Sequence, residues 1–120
     1  MKDRKIVSAL SGLSVYELNS FSKYIHSPYF NPNERLSHIY DIIEKSIKKG
    51  NIDLLTPEEI WKSTFPDEPY INQKFLKLSS DLLTLFESFL AQIEFDHSDS
   101  LRANLKLEGI RKHSLSKLYK

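Results

Sequence analysis

Residues 31–50 read NPNERLSHIYDIIEKSIKKG and contain a start, a stripe and a stop for one helix. Asn31-Pro32-Asn33-Glu34 opens it, with an amide able to cap free backbone N–H groups and a proline whose fixed φ suits a first helical turn. Leu36, Ile39, Tyr40, Ile43 and Ile47 follow at spacings of 3, 1, 3 and 4, which is the signature of a helix buried on one side. Lys45, Lys48 and Lys49 fall where the helix dipole favours cations, and Gly50 supplies the left-handed residue that commonly follows a helix end. The pattern predicts a helix running to Lys49.

The same grammar extends in both directions. Towards the N-terminus, Ser14 followed by Glu17 fits a capping box and predicts a helix from about Val15 to His26. Leu18, Phe21, Tyr24 and Ile25 form its apolar face, and Pro28 stops it. Lys5 to Leu10 is a candidate short helix before that cap. Towards the C-terminus, Thr56-Pro57-Glu58-Glu59 predicts a short helix ending near Phe65-Pro66, with Thr56 as cap, Pro57 first and Glu59 closing the box. After the turn Pro66-Asp67-Glu68-Pro69-Tyr70, Asn72 is the expected cap of the longest helix, from Gln73 to about Phe95. Its stripe is Phe75, Leu78, Leu82, Leu85, Phe86, Phe89, Leu90 and Ile93. Asp96-His97-Ser98-Asp99-Ser100 breaks that pattern, and Leu101, Leu105, Leu115 and Leu118 mark a last helix. No segment alternates with a period of two for long enough to argue a strand. The expected fold is all-α: a compact bundle of about five helices with a long central helix, and a C-terminal helix that projects or continues into further helical pairs. Residues 1–98 are expected to form the helical domain, and residues 99–120 a C-terminal helix packed back or used for association.

Composition narrows the function classes. A chain of 120 residues suits a single domain. With no cysteine it has no disulfide framework, no thiolate nucleophile and no Cys-ligated metal, which fits a reducing cytoplasm. Seventeen Lys and Arg against sixteen Asp and Glu leave a formal net charge of +1, so no global field draws the chain to nucleic acid or an anionic membrane. The most apolar stretch, Leu82 to Phe95, is interrupted by Glu87 and Glu94 and is shorter than the roughly 20 residues a bilayer-spanning helix needs. Lys2, Arg4 and Lys5 before Ile6-Val7 imitate a secretory signal, but Asp3, Ser8 and Ser11 interrupt both of its parts.

Chemistry-bearing patterns are sparse. Gly12, Gly50 and Gly109 are too far apart for a phosphate-cradling loop. His26, His38, His97 and His113 show no ligand spacing, and His97 between Asp96 and Asp99 lacks the oxygens and glycine of a hard-metal loop. Glu58-Glu59 suit the first turn of a helix, and Asp67-Glu68 suit a turn between prolines. No catalytic residue, metal ligand or cofactor is expected.

Three features point towards partners. Tyr24, Tyr29, Phe30, Trp61, Phe65 and Tyr70 surround the turns at Pro28 and Pro66. Tyr29, Phe30 and Phe65 are expected to plug the ends of the core, and a peptide-binding groove is the other reading of this aromatic set. Residues 56–90 resemble a helix-turn-helix, although Lys74 and Lys77 are few cations for a recognition helix. From Asp81 to Asp99 there are five acids and no Lys or Arg, whereas Arg102 to Lys120 holds six cations against Glu108. This segregation predicts pairing of the last two helices in antiparallel packing, with RNA binding by the basic tail as the other reading. The row still running at Leu118-Tyr119-Lys120, with no Gly or Pro stop, suggests a helix whose partner is a second subunit or further chain.

Leu13 to Asn33, with Leu18-Asn19-Ser20-Phe21 leading into Ser27-Pro28-Tyr29-Phe30-Asn31, resembles the opening of uncharacterised, longer helical proteins of Bacteroidetes-type bacteria. Leu55 to Trp61, Phe65 to Tyr70, Leu78-Ser79-Ser80-Asp81-Leu82 and Glu87-Ser88-Phe89-Leu90 resemble further segments of them, and Leu101 to Leu118 looks like the first of a series of paired helices. The resemblance carries no activity or catalytic residue. It implies the N-terminal segment of a helical-repeat protein, whose stacked pairs offer extended surfaces to partners. The expected function is a non-enzymatic, cytoplasmic protein-interaction or scaffold domain. Leu101, Leu105, Leu115 and Leu118 supply its apolar contact, Arg111 and Lys112 its rim, and the partner is another protein or a second copy. The alternative is nucleic-acid binding through residues 56–90 or the tail at 102–120.

Overall fold

Side-chain caps start four of the helices in the computed structural model, which describes residues 4–113. The elements are α1 (Lys5–Ser11), α2 (Val15–Ile25), α3 (Glu34–Lys49), a 3-10 turn (Ile52–Leu54), α4 (Pro57–Thr64), α5 (Asn72–Asp96) and α6 (Asp99–Lys112). The fold is all-helical, with no strand among the described residues. At the start of α2 the backbone N–H of Glu17 donates to Ser14 Oγ at 3.1 Å, and Ser14 N–H donates to Glu17 Oε1 at 3.0 Å. The backbone bond from Ser14 is the larger reason that the Glu17 carboxyl is held below its usual range, followed by the Ser14 side chain. Thr56 Oγ1 accepts from Glu59 N–H at 3.2 Å, but the expected return bond, from Thr56 N–H to the Glu59 carboxylate, is not made. Gly50 adopts φ 76° after α3, in the left-handed region where a side chain is disfavoured.

The structure decides which asparagine of the Asn31–Asn33 start signal acts as the cap, and it moves Asn72 from the expected cap position into its helix. Asn33, not Asn31, caps α3, accepting from Arg35 N–H at 3.0 Å. Asn31 is buried, and its Nδ2 donates to the carbonyls of Ile25 at 2.9 Å and Asn33 at 3.1 Å while its Oδ1 accepts from Asn33 N–H. Ser37 Oγ lies 3.1 Å from the same Nδ2 and donates to the Ile25 carbonyl at 3.0 Å. Asn31 thus ties the end of α2 to the start of α3. Asn72 lies inside α5, and its amide oxygen accepts from the Tyr70 hydroxyl at 2.9 Å.

The chain divides into two compact units, Met1–Glu87 and Ser88–Lys120, with the boundary inside α5. In the first unit, α3 is approached closely by α1, α2, α4 and the 3-10 turn. Its core contains Val7, Leu10, Leu18, Phe21, Ile25, Tyr40, Ile43, Ile60, Phe75 and Leu82, all nearly inaccessible. Phe21 meets Tyr40 edge-on at 4.9 Å and Phe86 at 5.3 Å, geometries favoured by the ring quadrupole. Tyr29 does not plug this core: it is 89% exposed, and Phe30 is 40% exposed and stacks on Tyr24 at 4.5 Å. The tight turn accepted by the Ser27 carbonyl carries both rings outward, while Asn31 closes the core below them. Phe65 is buried, as expected. The second unit contains the end of α5 and α6, and no residue of α6 is buried.

Candidate functional site

Ser98 caps α6 by accepting from Leu101 N–H at 3.2 Å, so the predicted contact helix begins at Asp99. At 3.6 residues per turn, Leu101 and Leu105 share a row with Glu108 and Lys112, and Arg111 flanks it. Leu101 is 44% exposed and Leu105 50%. The opposite side carries Ala103, Leu107 and Ile110, with Leu107 60% exposed. The helix therefore presents apolar side chains on two faces. Leu101, Leu105, Arg111 and Lys112 are brought together on this one helix, whereas Leu115 and Leu118 lie outside the described residues.

Among the described residues, the ion pairs on the last two helices are local, and Lys117 and Lys120 of the expected interhelical pairing lie outside them. Arg102 pairs with Asp99 at 2.6 Å and Arg111 with Glu108 at 3.4 Å, both within α6, while on α5 Asp81 pairs with Lys77 at 2.8 Å. Residues three or four apart on a helix are already neighbours, so these pairs form without bringing two helices together.

A second surface lies in the first unit. The first turn of α3, α4, the connection at 65–71 and the start of α5 enclose a cleft of about 420 Å³ lined by Arg35, Trp61, Phe65, Glu68, Gln73, Lys74, Lys77 and Leu78. Trp61 is held by its indole N–H, which donates to the Glu68 carbonyl at 3.0 Å, and its ring lies 4.3 Å from Phe65 and 5.8 Å from Tyr70. The Arg35 guanidinium sits 4.6 Å from the centre of the Phe65 ring, a cation–π contact. Trp61, Phe65, Lys74 and Lys77 were visible in the sequence as aromatic and helix-turn-helix signals. Arg35 carried no such signal, because only the packing of α3 against α4 brings it to Phe65. The seven residues of 65–71 exceed the 3–4-residue turn typical of a DNA-binding helix-turn-helix.

His38 and His26 each have a separate side-chain partner. His38 Nε2 lies 3.0 Å from Ser63 Oγ, and His26 Nε2 lies 2.8 Å from Asp41 Oδ1. A serine nucleophile needs its histidine oriented by a third group, and among the described residues no carboxylate pairs with His38. Also among the described residues, no group of three or more His, Asp or Glu is placed to hold a metal ion, and no helix is long and apolar enough to cross a membrane. No protein-family model, curated protein or solved structure matches this chain.

Proposed function

We propose that the chain is a non-enzymatic protein-association domain that docks through α6, as the N-terminal segment of a larger helical scaffold of the Bacteroidetes-type proteins it resembles. A cytoplasmic setting belongs to the same proposal. The observation that supports it is α6 itself, a 14-residue helix with no buried residue and with leucines exposed on two faces. An isolated helix of this length is marginal in water, and covering apolar surface stabilises by about 25 cal/mol per Å². A helix with two apolar faces suits stacked helical pairs, where each inner helix touches its pair-mate and a neighbouring repeat. Leu101 and Leu105 would make the contact, with Arg111 and Lys112 at its edge and Leu115 and Leu118 continuing the row.

Nucleic-acid binding has less support. Arg102, Arg111 and Lys77 are each tied to a carboxylate, which lowers the positive field available to phosphates.

The test is absolute mass by light scattering over a concentration range, for the chain and for a Leu101→Ser/Leu105→Ser double variant. The expected result is a mass that rises with concentration in the parent and stays monomeric in the variant, with the same thermal unfolding. A parent that is monomeric at every concentration overturns self-association. A variant whose unfolding transition collapses instead assigns the leucines to the fold.

A further inference from the structure

The cleft framed by α3, α4 and α5 combines an apolar base with a cationic rim. Trp61 and Phe65, 3% and 8% exposed, form the base, and Leu78 extends it along α5. Arg35, Lys74 and Lys77 stand around the opening against a single lining acid, Glu68. Lys77 is engaged by Asp81 and Arg35 lies over Phe65, so Lys74 is the rim cation with no such engagement among the described residues. The first turn of α5, like that of the short α1, contains no acid, so none balances Lys74 there. A cation at a helix N-terminus is unfavourable against the dipole, so a carboxylate arriving from a ligand is favoured by both the lysine and the helix.

We infer that this cleft is a docking site for a short acidic peptide segment whose apolar side chain enters between Leu78 and the Trp61–Phe65 pair while flanking carboxylates meet Lys74 and Arg35. Charge complementarity selects the occupant: the rim is cationic, and the volume of about 420 Å³ suits one large side chain and its adjoining backbone. A nucleic-acid strand fits less well, because Glu68 stands in the lining against its phosphates and Lys77 is already paired with Asp81. The site shares no residue with α6 and does not depend on association through that helix.

Trp61 is the only tryptophan, so its emission reports on the cleft. The probe is a fluorescein-labelled, C-terminally amidated pentapeptide with a central phenylalanine and two glutamates on each side, followed by anisotropy and by Trp61 fluorescence on the full chain. Comparators replace the glutamates by lysines, or the phenylalanine by glycine, and a labelled 12-nucleotide DNA strand is run alongside. The expected result is saturable binding of the acidic phenylalanine peptide at least tenfold tighter than either comparator. Lys74→Glu should abolish it with an unchanged melting curve, and Lys74→Ala should weaken it. The Leu101→Ser/Leu105→Ser variant should bind as the parent does, which separates this site from association through α6. Absence of saturation, equal affinity for the acidic and basic peptides, or tighter binding of the DNA strand with steep salt dependence overturns the inference.

Discussion

Tyr40 joins the first unit at the scale of a single residue. Its side chain is fully buried, and its hydroxyl donates to the Leu18 carbonyl at 2.7 Å across 22 positions of sequence. Burial is the main reason its ionisation is pushed far above the ordinary tyrosine range, with the charge of Glu44 and then that of Asp41 adding to it. The folded phenol therefore stays protonated where the unfolded one ionises, near pH 10. Its contribution to stability is complete below that pH and declines above it, by up to about 1.4 kcal/mol per pH unit. Urea unfolding between pH 8 and 11 should show the Tyr40→Phe variant about 1 kcal/mol less stable at pH 8, with the gap closing as pH rises. A gap that is constant with pH would refute the assignment.

At the scale of an element, the start of α2 links capping to pH. Glu17 is held below its usual range by its bond to the Ser14 backbone, so the stabilisation it supplies is present above the ordinary carboxylate range and is lost as pH falls through its lowered value. Ser14→Ala should cost about 1 kcal/mol at pH 7 by removing the acceptor for Glu17 N–H. Glu17→Gln should reduce the loss of stability between pH 5 and pH 3 relative to the parent. Chemical denaturation of the two variants across that range measures both effects. A Glu17→Gln variant that follows the parent's acid limb would show the box to be energetically silent.

At the scale of the whole molecule, stability is distributed unevenly. Helix α3 contributes Leu36, Ile39, Tyr40 and Ile43 to the core, while α6 buries nothing. Opening free energies follow buried contact, so amide exchange in α3 should be slow and close to the global unfolding limit. Exchange in α6 should be faster by orders of magnitude at low protein concentration and slow down as concentration rises if α6 associates. Equal protection of both helices in dilute solution would contradict this distribution.

Much of the architecture was determined by sequence alone, because its signals act within one or two turns. Ser14 with Glu17, Thr56 before Pro57 and Gly50 after Lys49 delimit helices through backbone groups only a few positions away, and the stripe from Leu36 to Ile43 needs only the 3.6-residue period. The short α1 was visible as a candidate for the same reason. The candidate contact row on α6 is legible as far as Leu101 and Leu105, whereas the second apolar face, through Leu107 and Ile110, emerges only once the bounds and the exposure of α6 are known. Tertiary structure alone decided which asparagine caps and which is buried, because Asn31 is committed to Ile25 and Ser37, each six positions away. It turned Tyr29 to solvent, and it carried Arg35 onto Phe65, thirty positions further along the chain. Short-range backbone geometry repeats wherever its residues recur, whereas a cleft exists only once distant segments have been brought together by a common core.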